Sequence, residues 1–292
     1  LVTELPADGG SMRNRDYRNI AWLARDYAFI SAPSAGSFVA TRRTQRETAS
    51  GGITVFGPPP PPRNTDPWIN RYTKRMVAAG RPERCGRVFA GQPNIQAPLT
   101  PLAPGVARGF NRRTVSGGDF TEQAVLNNAA VKDSQVLVFV THGFFGDGFC
   151  ITEPALLTSL GEEGDALLTA TEILDMEISA DLVFLAACDT ARTGAGAQGL
   201  AALFDGAQLD GLVRSFIYAG ARAVLATHWV ADDKAADAIT TQFFAEARGN
   251  AMHLALRNAQ TSLIEKDDTA HPYFWAPYVV IGDATHALAA GS

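Results

Sequence analysis

The chain lacks the features that mark membrane-embedded, disulfide-rich and nucleic-acid-binding proteins. None of its apolar runs approaches the roughly 18 residues that a membrane-spanning helix needs, so no membrane contact is expected. Its 292 residues carry a net charge of -5, which argues against nucleic-acid binding. Only three cysteines occur, far apart and without CxxC spacing. This odd, sparse count argues against a disulfide framework and against a cysteine zinc site.

Several catalytic and nucleotide-binding motifs are also missing. The sequence has no HExxH, GxxxxGK[ST] or GxSxG, which are the signatures of zinc peptidases, P-loop proteins and α/β-hydrolases. Residues 194–199 match GxGxxG, but that fingerprint should directly follow a strand and open a helix. Residues 189–193 intervene here, so we interpret the glycines as a flexible loop. No metal or other cofactor is predicted.

What remains is ordinary globular composition, with 46% hydrophobic and 19% charged residues, in a chain long enough to bury a large core. The chain begins with Leu1 and no signal pattern follows, so we expect a piece of a longer polypeptide.

Residues 58–62 are all prolines, and we interpret 58–104 as a loop-rich insertion. Within it, 68–79 is a possible helix and the basic stretch 81–87 is predicted to be a surface loop.

Hydrophobic patterning predicts strands that alternate with helices. This rhythm is typical of an α/β fold with a mostly parallel sheet covered by helices on both faces. Asp119, followed by Glu122, is predicted to cap a helix, and Asp232 or Asp233 to cap another. The predicted strands are 26–30, 51–57, 136–143, 180–187, 222–229 and 278–282. The predicted helices include 119–127, 212–218, a segment ending near 244, and 252–264.

Two of these strands end in residues that carry chemistry. One ends in Thr141, His142 and Gly143, and the other is followed by Cys188 and Asp189. Ligands of open α/β sheets bind at the carboxyl ends of the strands, so a thiol and an imidazole placed there form a candidate nucleophile and base. The structural alternative stays open, because a free cysteine is commonly an inert buried residue and a lone histidine is often only a hydrogen-bonding partner.

The order of these motifs resembles the CHAT domain, a caspase-like module of bacterial proteins with tetratricopeptide repeats. The resemblance covers nearly the whole chain and implies a single domain, 1–292, with a caspase-hemoglobinase-like three-layer α/β/α sandwich. It also implies a cysteine endopeptidase related to separase, caspases and gingipains. The family usually has Leu where His228 stands. The resemblance is carried by Thr141-His142-Gly143, 187–191, His228-Trp229 with Asp232-Asp233, 271–282 and 27–34.

In the mechanism that this resemblance implies, Cys188 attacks a scissile peptide carbonyl as thiolate and His142 carries the proton. Backbone N–H groups of Gly143 and Cys188 would bind the oxyanion. His228 also ends a strand, but the bulky Trp229 beside it suits a groove wall better, so we expect His142 to be the base.

The resemblance also implies that Trp229, Asp232 and Asp233 line the substrate groove, with Asp189 beside the nucleophile. Because no arginine is placed to pair with a desolvated carboxylate, we expect a basic or apolar P1 residue and little cleavage after Asp or Glu. The expected partners are a protein or peptide substrate and an activating partner or repeat domain, in a cytoplasmic location.

Two other functions are compatible with these residues. A caspase-like domain without activity would act as a protein-interaction module, although the retained His142 and Cys188 argue against it. A thiol acyltransferase or a small-molecule hydrolase would use the same two side chains. Fold alone does not distinguish among these functions.

Overall fold

The computed structural model describes residues 14–43, 52–60, 66–90, 105–106, 109–144, 153–186, 206–229 and 232–289. Within them the strands are β1 Ile53–Phe56, β2 Arg112–Val115, β3 Val136–Val140, β4 Gly143–Phe144, β5 Ala155–Leu157, β6 Leu167–Thr169, β7 Leu182–Ala186, β8 Ala223–Thr227 and β9 Tyr278–Gly282. The α-helices are α1 Leu23–Asp26, α2 Ala35–Arg43, α3 Asp66–Ala78, α4 Glu83–Ala90, α5 Glu122–Leu126, α6 Ala130–Asp133, α7 Ala170–Leu174, α8 Gly206–Tyr218, α9 Asp233–Glu246, α10 Met252–Ile264 and α11 Pro272–Trp275.

Six strands form the central sheet in the order β2-β1-β3-β7-β8-β9. All neighbouring pairs are parallel except β8 and β9, which are antiparallel. The α/β class and the mostly parallel sheet predicted from the sequence are therefore confirmed. A consequence for the site is that β3, β7 and β8 are successive neighbours whose carboxyl ends lie along one edge of the sheet.

Both faces of the sheet are buried, which is why its central strands are continuous apolar runs. Along β3, Val136, Val138 and Val140 belong to a cluster that includes α9 and α10. Leu137 and Phe139, which point to the opposite face, belong to a cluster that includes α8. The alternation gives the three-layer α/β/α arrangement that was predicted.

A second, smaller sheet in the order β4-β5-β6 lies directly after β3. Its Leu157 and Leu167 pack in a third apolar cluster with Tyr72 of α3 and Cys85 of α4. The predicted surface loop over 81–87 is therefore wrong, since most of it lies in α4. The charged residues of this segment suggested a surface loop. They belong to an amphipathic helix, and Cys85 lies on its buried side.

Two local predictions near the ends of elements also fail. The predicted strand 26–30 is absent, and only the next residue, Ser31, makes a bridge, to Ile281 of β9. Helix α5 is capped by Thr121, whose side chain accepts a hydrogen bond from the Ala124 N–H, rather than by Asp119. Both Asp and Thr are good capping residues, but Asp119 belongs to a 3₁₀ turn over Gly117–Asp119, which leaves Thr121 at the cap.

Candidate active site

His142 is fixed at the point where the central sheet passes into the small sheet. It lies two residues beyond β3 and is only 4% exposed. Its carbonyl accepts a hydrogen bond of 2.8 Å from the Leu157 N–H, and the hydroxyl of the preceding Thr141 donates to the Leu157 carbonyl. These contacts hold the backbone on both sides of the imidazole, so its position is set by β5 as well as by β3.

The N–H of Gly143 is directed away from β5. Gly143 is paired with Leu156 in an antiparallel ladder, and the hydrogen bond from Leu157 to His142 flanks that pair. In such a ladder, a residue pair flanked by hydrogen bonds of its neighbours makes none of its own across the strands. The Gly143 N–H is thus left to face the side opposite β5, beside His142.

The other predicted site residues fall into two groups. Cys188 and Asp189 lie outside the described residues. His228 and Trp229 directly follow β8, and the His228 N–H donates to the Pro277 carbonyl at 2.9 Å. Partial burial lowers the pKa of the His228 imidazole, which disfavours its charged form.

The two predicted acids of the groove have a structural position. The Asp232 side chain accepts hydrogen bonds of 3.1 Å from the N–H groups of Lys234 and Ala235. It is the N-cap of α9, and Asp233 is the exposed first residue of that helix. The capping role predicted for one of these acids is confirmed, and their contact with substrate stays a prediction.

A cluster of acidic side chains lies between α5 and the segments that flank β6. Glu122 accepts a hydrogen bond of 3.2 Å from the Asp165 N–H, and Arg81 pairs with the Asp165 carboxylate at 2.6 Å. Burial, with the neighbouring Glu172 and Asp165 carboxylates, raises the pKa of Glu122 to about 8. The hydrogen bond to Asp165 links α5, which precedes β3, to the segments around β6.

This cluster predicts a loss of stability as the pH rises from about 4.5 to about 8. The folded-state pKa of Glu122 lies above the ordinary value of 4.5, so its contribution is fully present below that value and is lost as the pH rises towards about 8. The slope is at most about 1.4 kcal/mol per pH unit. Glu122→Gln stays neutral, and urea unfolding at pH 5, 7 and 9 should show that it removes this slope.

The matched control for that experiment is Glu177→Gln. Glu177 is exposed, and its hydrogen bond and attraction to Lys132 lower the pKa of its carboxyl. This variant is expected to keep the pH dependence of stability that the wild type shows. An unchanged slope in Glu122→Gln would show that Glu122 is ionised in the folded protein at neutral pH.

Cys85 is disulfide-bonded, contrary to the expectation drawn from the odd cysteine count. Its partner is one of the two other cysteines of the chain, Cys150 and Cys188, both outside the described residues. The sequence spacing gave no sign of this bond, because only the packing of α4 on the small sheet brings Cys85 near a distant part of the chain. Cys85 itself is fully buried.

The described part of the chain shows no cluster of three or more His, Cys, Asp or Glu side chains suited to a metal ion. Among the same residues, every helix is too short or too polar to cross a membrane.

Comparison with known proteins identifies the family. A model of the CHAT domain matches residues 7–283. The chain belongs to the CHAT domain family. The family resemblance inferred from the His142 and Cys188 motifs is thereby confirmed.

Among solved structures, this CHAT domain is similar to a chain of the separase–securin complex of Saccharomyces cerevisiae. The sequence identity is 14% and the TM-score is 0.44. The match covers 88% of the CHAT domain but 14% of the other chain. A search of curated proteins finds no match.

The sequence interpretation missed one residue at this edge of the sheet, Tyr273. It lies in α11, just before β9, and is 46% exposed. Its carbonyl accepts a hydrogen bond of 3.2 Å from the Trp229 indole N–H. A signal was present, since three aromatic residues in succession, Tyr273, Phe274 and Trp275, cannot all face the core from a helix of four residues.

Proposed function

We propose that this CHAT domain is a cysteine endopeptidase in which Cys188 is the nucleophile and His142 the general acid and base. The observation that supports it most is the parallel pairing of β3 with β7, in which Val140 is opposite Ala186. In the sequence, His142 comes two residues after Val140, and Cys188 comes two residues after Ala186. Neighbouring strands are about 4.8 Å apart, so we expect the two side chains to emerge side by side.

The reaction would proceed in two steps. His142 accepts the Cys188 proton, the thiolate adds to the scissile carbonyl carbon, and the resulting imidazolium protonates the departing amine as the C–N bond breaks. His142 then takes a proton from water, whose oxygen attacks the thioester. The peptide acid leaves as the carbon–sulfur bond breaks, and the proton returns to the Cys188 sulfur.

The negative charge of each tetrahedral intermediate would be bound by backbone N–H groups of Gly143 and Cys188. The orientation of the Gly143 N–H away from β5 supports this role, because it is not used in the ladder that holds His142. Removal of one such donor typically costs about a hundredfold or more in rate.

The proposed substrate groove runs along the same edge past Trp229, with Asp189 beside the nucleophile and Asp232 and Asp233 at the start of α9. Its acidic groups favour a basic or apolar P1 residue over Asp or Glu. A protein substrate is proposed, with activity controlled by a partner protein or by another part of a longer polypeptide.

The test is digestion of a diverse peptide library by the wild type and by Cys188→Ala, with products identified by mass spectrometry. Cleavage by the wild type alone, at bonds that rarely follow Asp or Glu, is the expected result. Absence of cleavage by the wild type would favour the silent interaction module. Turnover of thioesters or small esters without peptide cleavage would favour an acyltransferase or small-molecule hydrolase instead.

The cysteines offer an independent check of the nucleophile. We expect alkylation at neutral pH without reductant to label Cys188 alone, since Cys85 is buried in a disulfide and Cys150 would be its partner. Labelled and disulfide-linked peptides are identified by mass spectrometry. Labelling of Cys150, together with a peptide linking Cys85 to Cys188, would contradict the proposed nucleophile.

A further inference from the structure

The inference concerns Tyr273 and rests on the proposed peptidase function. Trp229 follows β8, the strand next to β7 in the central sheet. β7 and β8 are parallel, with Phe184 opposite Leu225, and continuing that register by two residues aligns Ala186 with Thr227. Cys188 and Trp229 each follow two residues later. Trp229 therefore belongs to the strand end on the side of Cys188 opposite His142.

Contacts with the segment before β9 fix Trp229 in place. Its indole N–H donates to the Tyr273 carbonyl at 3.2 Å, and the preceding His228 N–H donates to the Pro277 carbonyl at 2.9 Å. The polar atom of the indole is thus satisfied within the protein. What Trp229 can offer a ligand is the apolar surface of its ring, which is partly exposed.

Tyr273 adds a second aromatic surface at the same edge. β9 is antiparallel to β8, with Tyr278 opposite Thr227, so α11 lies at the carboxyl end of β8. The Tyr273 ring is 46% exposed and rests edge-on against Phe274, with ring centres 5.3 Å apart. The Tyr273 N–H is bound by His271 Nδ1 at 3.0 Å, so backbone and ring are both held.

An exposed aromatic ring that is held by the protein suits binding, because little conformational freedom is lost when a ligand packs on it. Aromatic surfaces of this kind favour bulky apolar or aromatic side chains, by area and by ring stacking. Asp232 has a structural role beside this surface, because its Oδ1 accepts the N–H groups of Lys234 and Ala235 as the cap of α9.

We propose that Trp229 and Tyr273 form an aromatic subsite that selects a peptide with a bulky apolar or aromatic side chain within two residues of the scissile bond. Tyr273 is the specificity-determining residue of this pair. Its role depends on the ring, whereas Trp229 is held by the Tyr273 backbone carbonyl, which every substitution retains.

The test compares wild type, Tyr273→Ala and Tyr273→Phe on matched peptides that carry Ala, Leu, Phe or Trp at each position around the cleaved bond. We expect the wild type to prefer the bulky residues at one position. Tyr273→Ala should lower kcat/KM for those peptides about tenfold, mainly through KM, and leave the Ala peptide within twofold. Tyr273→Phe should keep the preference. Tyr218→Ala is the control, an exposed tyrosine at the end of α8.

Binding of the same peptides to Cys188→Ala, with and without Tyr273→Ala, separates this inference from the proposed function. Tighter binding of bulky peptides that depends on Tyr273 supports the subsite even if the wild type cleaves nothing. A preference that Tyr273→Ala leaves unchanged, in cleavage or in binding, overturns it. The subsite is also contradicted if the wild type shows no preference for bulky residues in cleavage and Cys188→Ala shows none in binding.

Discussion

Replacing His142 by alanine is expected to lower kcat/KM for peptide cleavage by about a thousandfold, whereas His228→Ala should leave it within about fivefold. General acid–base catalysis typically contributes a factor of 10² to 10⁴. In the proposed mechanism His142 is needed twice, to protonate the amine and to activate water. His228 also follows a strand, but that strand is β8, which is separated from β3 by β7, and its N–H donates to the Pro277 carbonyl.

The rates are measured with a peptide found in the library digest, across pH 5 to 9. The hydrogen bond from Leu157 should persist in His142→Ala, because it uses the carbonyl of residue 142, and urea unfolding of this variant checks its fold. Alkylation of Cys188 in this variant should slow near neutral pH, since the thiolate loses its imidazolium partner. A large loss in His228→Ala with activity retained in His142→Ala would assign the base to His228.

Replacing Gly57 by alanine should destabilise the protein by about 3 kcal/mol or more. Gly57 directly follows β1 and has a φ of +100°, which L-residues with a side chain rarely adopt. An added Cβ would also lie 2.0 Å from the Val140 carbonyl oxygen. Because that oxygen belongs to the last residue of β3, relief of the clash must separate β1 from β3 just before His142.

Urea unfolding of Gly57→Ala is compared with that of Gly118→Ala, in which no atom of the described residues lies within 4 Å of the added carbon. The control should stay within about 0.5 kcal/mol of the wild type. Peptidase activity should fall in Gly57→Ala alone, through the displaced end of β3. A loss of less than 1 kcal/mol in this variant would show that the strands adjust without strain.

The fold class and most of the central sheet could be predicted from the sequence. The long apolar runs of β3, β7 and β8 indicate strands covered on both faces, and no other regular element buries so many consecutive β-branched and aromatic residues. Met252–Ile264 and Tyr278–Gly282 were predicted with their observed bounds. The predictions failed where the local signal was ambiguous, at the cap of α5 and in the charged helix α4.

The sequence by itself determined which side chains end the strands, and hence that His142, Trp229 and the predicted nucleophile Cys188 are candidates for one edge. The tertiary structure decided what the sequence cannot encode locally. The order of β3, β7 and β8 puts these strand ends side by side. The antiparallel course of β9 brings Tyr273 to Trp229, and packing of α4 on the small sheet places Cys85 in its disulfide. Each of these contacts joins residues far apart in the chain. Local sequence patterns do not predict such contacts, because they are selected by the packing of the whole core.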